Sequence, residues 1–373
     1  MPPPLDGLLV ADFTRAVAGP FATQLLADRG ARVIKIEDPG GGDESRHWGP
    51  VFADGGDSAY YLSLNRNKES VVLDLKSDLG RKAVTALISK ADVVVENFRS
   101  GVAEKLGFGY EAASALNPRL IYASISGFRL DGEDWDRPGY DLIAQAMSGL
   151  MYANRTSNGE PQRVVFPLTD ILSGMYLSHG ILTALHDRER SGQGRRIWVS
   201  LVESLMSVMT SLTPMQLISG REPTAGQSVI PYQSFQASDG GLVIATPNER
   251  IFARFCEALD RKDWLADARF QSNVARVQNR DFVLDAIQQA ISALSRSECL
   301  DRLRKADVPC GPIWTVTEAN QSGQAKCFEF EHSSGATLRV PGNPIEGLGA
   351  ISSGSPPELG EHTDAVLREL GLA

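Results

Sequence analysis

Cysteine is scarce in this chain of 373 residues, with only Cys256, Cys299, Cys310 and Cys327. None forms a CxxC pair and no close Cys/His cluster accompanies them, so the pattern offers neither a zinc site nor a disulfide framework. Free thiols in a reducing compartment are the plain reading. Basic residues are the minority, 37 Lys and Arg against 46 Asp and Glu, for a net charge of -9. Nucleic acid is therefore not expected as a partner, and an anionic ligand would have to be held by local Arg and Lys. No apolar run approaches the ~20 residues that span a membrane, and MPPPLDG lacks the basic and apolar regions of a secretory signal. A soluble, cytoplasmic protein is expected; in a eukaryote, a trimmed matrix or peroxisomal address is the alternative. GxSxG and P-loop motifs are absent, which leaves serine hydrolase and NTPase readings without support. GxGxxG is absent after Gly40, Gly41 and Gly42. The run Gly107 to Ala112 matches it only loosely, with no strand leading into it, so a nicotinamide dehydrogenase is a distant reading.

What is present is apolar mass and alternation. Apolar residues make up 42% of the chain, enough for a large interior, and the length favours two domains. LLVADF (8–13), RVIKIE (32–37), SVVLDL (70–75), DVVVENF (92–98), RLIYASISGF (119–128) and RIWVSL (196–201) read as strands. Between them lie helical patterns: PFATQLLADRG from Pro20, GRKAVTALISKA, YDLIAQAMSGLMY (140–152) as one segment, and DILSGMYLSHGILTALHDRER starting at Asp170. Alternating strands and helices predict a parallel sheet covered on both faces. The turn-rich stretch 219–228 reads as a linker. Beyond it, YQSFQASDGGLVIAT predicts a hairpin turning at Asp239-Gly240, followed by helical segments at 248–259 and roughly 278–306. The expected organisation is a large domain over 1–220, a small α+β domain over 225–320, and a return segment over 321–373 that packs on the large domain.

Asp170 follows Thr169 at the expected start of a helix. By pattern alone it is an N-cap; the functional alternative is a carboxylate kept ionised and nucleophilic by the helix N-terminus. A carboxylate wholly engaged with its own helix amides would be a poor nucleophile. Asp141 begins a helix in the same way, and Glu203 reads as a solvated first-turn acid. His47, His179, His186, His332 and His362 read as core or surface residues. Arg66, Lys68, Lys76, Arg99 and Lys105 lie near predicted strand ends, where open α/β sheets bind ligands, and so modestly favour a phosphate-bearing ligand over plain surface charge. Composition and spacing reach a two-domain α/β enzyme and stop there.

The runs PLDGLLVADFTRAVAGPFATQLLADRGARVIKIEDPGGGD (4–43), YYLSLNRNKESVVLDLK (60–76), ADVVVENFRSGVAEKLGFGY (91–110), NPRLIYASISGF (117–128), PGYDLIAQAMSGLM (138–151), the Asp170 segment and GEHTDAVLRELG (360–371) go further. Together, and in this order, they resemble the class III CoA-transferases, the CaiB/BaiF family that includes formyl-CoA transferase, over nearly all of the chain. The resemblance implies a Rossmann-like large domain built from both chain ends, a small domain, and an interlocked homodimer. It implies coenzyme A as substrate and product, with no permanently bound cofactor and no metal, and small carboxylic acids as partners. Asp170 matches the family nucleophile. Val17, Ala18, Leu73, Asp74, Leu75, Lys76, Asn97, Phe98, Arg99 and Lys105 match CoA contacts, with Asn97 and Phe98 at the adenosine region, and Tyr140 and Asp141 fall near the thioester. Asp38 replaces a phosphate-binding Arg of formyl-CoA transferase. Scattered Gly220, Gly226, Gly240 and Gly241 replace its glycine-run lid, which points away from oxalate. The chain also looks shorter than its relatives between Val316 and Gly335. The racemase branch carries His before the Asp of the PGYD segment, whereas Tyr140 stands here, and a phenol is a weak base at neutral pH. The runs RHWGPVFADGGDSAYYLSLNRNK, PLTDILSGMY and SVIPYQSFQASDGG look most like the succinate-hydroxymethylglutarate branch, so a dicarboxylyl-CoA donor is expected. An acyl-CoA racemase and a CoA-binding protein without catalysis are the alternatives.

Overall fold

The computed structural model describes residues 2–49, 57–156, 158–223, 228–331, 337–348 and 354–372. Gly226 and His332, named above, lie outside the described residues. The chain divides into two compact units, Met1–Arg221 with Ala325–Ala373, and Glu222–Gln324.

The first unit is built on six strands: β1 (Leu9–Asp12), β2 (Arg32–Glu37), β3 (Lys68–Val72), β4 (Val93–Glu96), β5 (Ile121–Ser126) and β6 (Arg195–Ser200). They pair in parallel in the order β3-β2-β1-β4-β5-β6. Parallel strands need crossovers, and these cover both faces. One face packs Val10, Val33, Val95 and Ala123 against the helices Ala18–Ala27 and Leu168–Ser191. The other packs Ala11, Ile34, Val94 and Tyr122 against Asp78–Lys90, Tyr110–Leu116 and the last helix, Thr363–Glu369. On the Leu168 helix, Leu177, Ile181, Ala184 and Arg188 recur every three or four residues and are buried, which makes them its inward stripe. The chain returns to the edge strand β3, where the Val72 amide donates to Thr363 Oγ1 (3.0 Å) and the His362 amide to the Ser70 carbonyl (2.9 Å).

The second unit carries the antiparallel hairpin β7 (Tyr232–Ala237) and β8 (Gly240–Ala245), with β9 (Cys310–Pro312) beside β8. Its core is aromatic, and Trp264 stacks on Phe270 at 5.0 Å.

Several elements differ from the sequence reading. β3 begins at Lys68 and ends at Val72, so Leu73–Leu75 leave the sheet. The predicted 140–152 helix is two, Asp141–Met147 and Leu150–Ala153, interrupted at Ser148 and Gly149. The 278–306 stretch divides into Arg280–Ser292 and Arg296–Lys305, where Ser295 caps the second helix by accepting from the Glu298 amide. The hairpin connection is Ser238-Asp239, one residue earlier than expected. The four thiols are unpaired.

Candidate active site

Strand order reverses between β1 and β4. Open α/β sheets bind ligands at the carboxyl ends of the strands beside such a reversal. A cavity of about 520 Å³ lies there, lined by residues that follow β1 (Arg15 to Ala18), β4 (Asn97 to Ser100) and β5, and by Tyr140, Asp141 and Asp170.

The β1 loop is held atom by atom. Lys35 Nζ donates to the Thr14 carbonyl (2.8 Å), and Asn97 Nδ2 to the Arg15 carbonyl (2.8 Å). Asn97 Oδ1 accepts from the Arg15 amide (2.9 Å), and Asp43 Oδ1 from the Ala16 amide (3.1 Å). This clamping fixes Ala16 in the left-handed region, φ 66°, a conformation that costs a non-glycine residue on the order of 1–3 kcal/mol and persists only where its surroundings impose it. Asp43 is itself buried against Lys35 Nζ (2.8 Å). Burial opposes its ionisation, but Lys35 outweighs it and holds the carboxyl below the usual range.

Asp170 arrives on the Leu168–Ser191 helix, which packs tightly on the helix Ala18–Ala27. Gly174 makes this approach possible: a Cβ there would lie 2.7 Å from the Ala18 carbonyl oxygen. Elsewhere in the lining the backbones of Gly127 and Gly139 touch, and a Cβ on Gly127 would lie 2.6 Å from the Gly139 Cα. Asp170 is not the N-cap. Pro167 holds that position and Asp170 is third in the helix. Its carboxylate has no hydrogen-bond partner among the described residues. Burial, and after it the charge of Asp141, push its pKa up to about 7.

Capping falls to Asp141. Its Oδ1 accepts from the Thr169 amide (2.8 Å) and the Thr169 hydroxyl (2.5 Å), and its Oδ2 from Gln145 Nε2 (2.7 Å).

The predicted site residues divide. Val17, Ala18, Asn97, Phe98, Arg99, Tyr140, Asp141 and Asp170 line the one cavity. Leu73, Asp74, Leu75, Lys76 and Lys105 lie outside its lining; Leu73 is a core residue, and Asp74 Oδ1 accepts from the Lys76 amide (2.9 Å) in a turn. Arg66 and Lys68 are not ligand-binding cations. Arg66 is buried on Asp28 (2.6 Å) and Lys68 on Asp12 (3.2 Å), and burial draws the Lys68 ammonium down to about 8. Sequence reasoning missed Arg15, Trp48, Tyr60 and Arg137 in the lining, although Arg15 lies directly beyond β1, where the strand-end rule points. It also missed Glu96, which lines an adjoining cavity of about 300 Å³. Burial raises Glu96 to about 7, and its Oε2 accepts from the Phe98 amide (2.9 Å).

The model of CoA-transferase family III matches residues 5–363. The chain belongs to CoA-transferase family III. This CoA-transferase is 40% identical over 348 residues to the acetyl-CoA:oxalate CoA-transferase of Acetobacter aceti, covering 92% of this chain and 89% of that one. It is 35% identical over 377 residues to the human succinyl-CoA:glutarate CoA-transferase, covering 98% and 86%. The crystal structure of a CAIB/BAIF family protein from Brucella suis superposes with a TM-score of 0.88 at 36% identity, covering 99% of this chain and 100% of that one. The transferase thus shares its α/β fold as well as its sequence with family members.

Proposed function

We propose that the enzyme moves CoA from a dicarboxylyl-CoA such as succinyl-CoA to a second carboxylic acid, with Asp170 as the nucleophile. The observation that carries this reading is the state of Asp170: a carboxylate at the strand-order reversal, facing a cavity, unbonded and raised to about 7. A carboxylate of higher pKa is the stronger nucleophile, and at neutral pH a sufficient fraction remains ionised. Succinate and glutarate enter the proposal through the human relative's name.

An Asp170 oxygen attacks the thioester carbonyl, the C–S bond breaks, and CoA leaves as thiolate, giving an acyl-aspartyl anhydride. The thiolate attacks the aspartyl carbonyl and expels the donor acid as carboxylate, leaving an aspartyl-CoA thioester. The acceptor carboxylate attacks that carbonyl and expels the thiolate. Attack of the thiolate on the acceptor acyl carbonyl then yields the new acyl-CoA and restores Asp170. Thioester energy is retained throughout, and water must be excluded because both intermediates hydrolyse. The helix Ala18–Ala27 opens at the cavity wall, where its first amides have no intrahelical acceptor and can receive a developing oxyanion. Asn97, Phe98 and Arg99 line the path for CoA, with Tyr140 and Asp141 beside the thioester; Leu73 to Lys76 and Lys105 are the outer CoA contacts in this proposal.

The enzyme is proposed to work as an interlocked homodimer in the cytoplasm. Support for a dimer comes from apolar side chains left exposed on the first unit's helices, among them Met175, Met206, Leu217 and Ile218, because a surface of this kind marks an interaction site. The unpaired thiols fit a reducing compartment, and among the described residues no helix is long and apolar enough to cross a membrane.

The test is CoA transfer from succinyl-CoA to a panel of acids by wild type and Asp170→Ala. Severe loss of transfer with CoA binding kept is expected. Transfer at the wild-type rate by the variant would overturn the mechanism, and α-proton exchange with D₂O on a 2-methylacyl-CoA, without transfer, would assign the racemase reaction instead.

A further inference from the structure

A carboxylate in the first turn of a helix ordinarily turns back onto the free amides there, or shares in capping them. Asp170 does neither. We propose that Thr169 and Gln145, acting through Asp141, are positioning residues that take over the capping of the Leu168–Ser191 helix and so leave the Asp170 carboxylate free to react. The proposal rests on the reading of Asp170 as nucleophile.

The arrangement is a closed set of bonds. Asp141 stands at the start of its own helix, 28 residues before Thr169, and its Oδ1 receives both the Thr169 amide (2.8 Å) and the Thr169 hydroxyl (2.5 Å). Its Oδ2 receives Gln145 Nε2 (2.7 Å). Gln145 also brackets the Val164 backbone on the approach to the helix, accepting from the Val164 amide (2.8 Å) and donating to its carbonyl (3.2 Å). Thr169 and Gln145 are 0% and 1% exposed, so water does not replace these bonds. Amide, hydroxyl and carboxamide each give the carboxylate a charge-assisted hydrogen bond, the stronger class. Asp141 thereby fixes the entry of the helix at Thr169, one residue from the carboxylate whose position matters. Without the clamp, the free amides of the first turn lose their outside acceptor, and the Asp170 carboxylate in that same turn becomes available to them. A carboxylate bonded to amides is a weaker nucleophile.

Thr169→Val keeps the side-chain shape and removes the hydroxyl; Thr169→Ser keeps the hydroxyl. Kinetics of succinyl-CoA-dependent transfer, melting curves and intact mass after incubation with succinyl-CoA are measured for both, with Gln145→Asn, too short to span Asp141 and Val164, as an independent variant. Thr169→Val and Gln145→Asn are expected to lose about ten- to a hundredfold in kcat, the scale of a misplaced reacting group, with KM for the acyl-CoA within about twofold of wild type. Thr169→Ser is expected to recover kcat to within about threefold of wild type, as only the hydroxyl is required. The yield of CoA adduct on Asp170 should fall in parallel with kcat. Wild-type kcat in folded Thr169→Val and Gln145→Asn would overturn the clamp, and so would a loss that Thr169→Ser does not restore. Absence of any Asp170 adduct in the wild-type enzyme would instead overturn the parent reading, and with it the proposal.

Discussion

Replacing Asp170 with Asn should stabilise the folded chain while it abolishes transfer. In the folded chain the Asp170 pKa is about 7; in the unfolded chain an aspartate titrates near 3.9. Because the folded value is the higher one, ionisation is harder in the fold than out of it. The resulting cost appears as pH rises above the unfolded value and levels off above the folded one. Linkage puts it at about 1.5 kcal/mol at pH 5 and, as an upper figure, about 4 kcal/mol at pH 8. Asparagine has the same shape and no charge to desolvate. Asp170→Asn should therefore melt above wild type at pH 8, by about 5 °C for a chain of this size, and the gain should shrink towards zero near pH 4. Denaturant or thermal unfolding of both proteins from pH 4 to 8 reads this directly. A variant no more stable than wild type at pH 8, or a gain independent of pH, would refute the claim that Asp170 is held in a desolvated, unbonded state.

The rate of the first half-reaction, measured as release of the donor acid and formation of the CoA adduct on the enzyme, should rise with pH through about 7, since the ionised form of Asp170 is the reactive one; an acid limb below pH 5 would contradict this. Gly174→Ala should cost about 1–3 kcal/mol of stability through overpacking against the Ala18 carbonyl and Phe21, and should lower kcat further than that because the Asp170 helix is displaced. Asp43→Ala leaves buried Lys35 without its 2.8 Å partner and frees the Ala16 amide; a loss of about 3 kcal/mol in unfolding free energy is expected, together with a raised KM for acyl-CoA.

The sheet was legible in the sequence because β2 and β4 are short, rich in Val and Ile and buried on both faces, and parallel strands of that kind need no partner information to be recognised. The switch point followed only once the pairing order was known. The sequence places Asp170 at the start of a helix, where it reads as a cap; it stands in the first turn, third in the helix, and Pro167 holds the N-cap position. A Thr-Asp pair before an apolar run looks like a cap, and the residue that does the capping, Asp141, lies far away in sequence. Arg66 and Lys68 were misread for the same kind of reason. Their charges are spent on Asp28 and Asp12, and nothing local distinguishes a buried ion pair from a free cation at a strand end. The 140–152 stretch breaks at Gly149, whose φ of 89° is the left-handed conformation that glycine takes at a helix end; the Ser148-Gly149 pair was a local signal of that break.

Whether CoA passes through Asp170 is decided by intact-protein mass spectrometry after incubation with succinyl-CoA, with hydroxylamine trapping and peptide mapping. A CoA adduct, and after trapping a hydroxamate, is expected on the peptide containing Asp170 and absent from Asp170→Ala. A protein that transfers CoA at full rate with no adduct, or with the adduct on another residue, would contradict it.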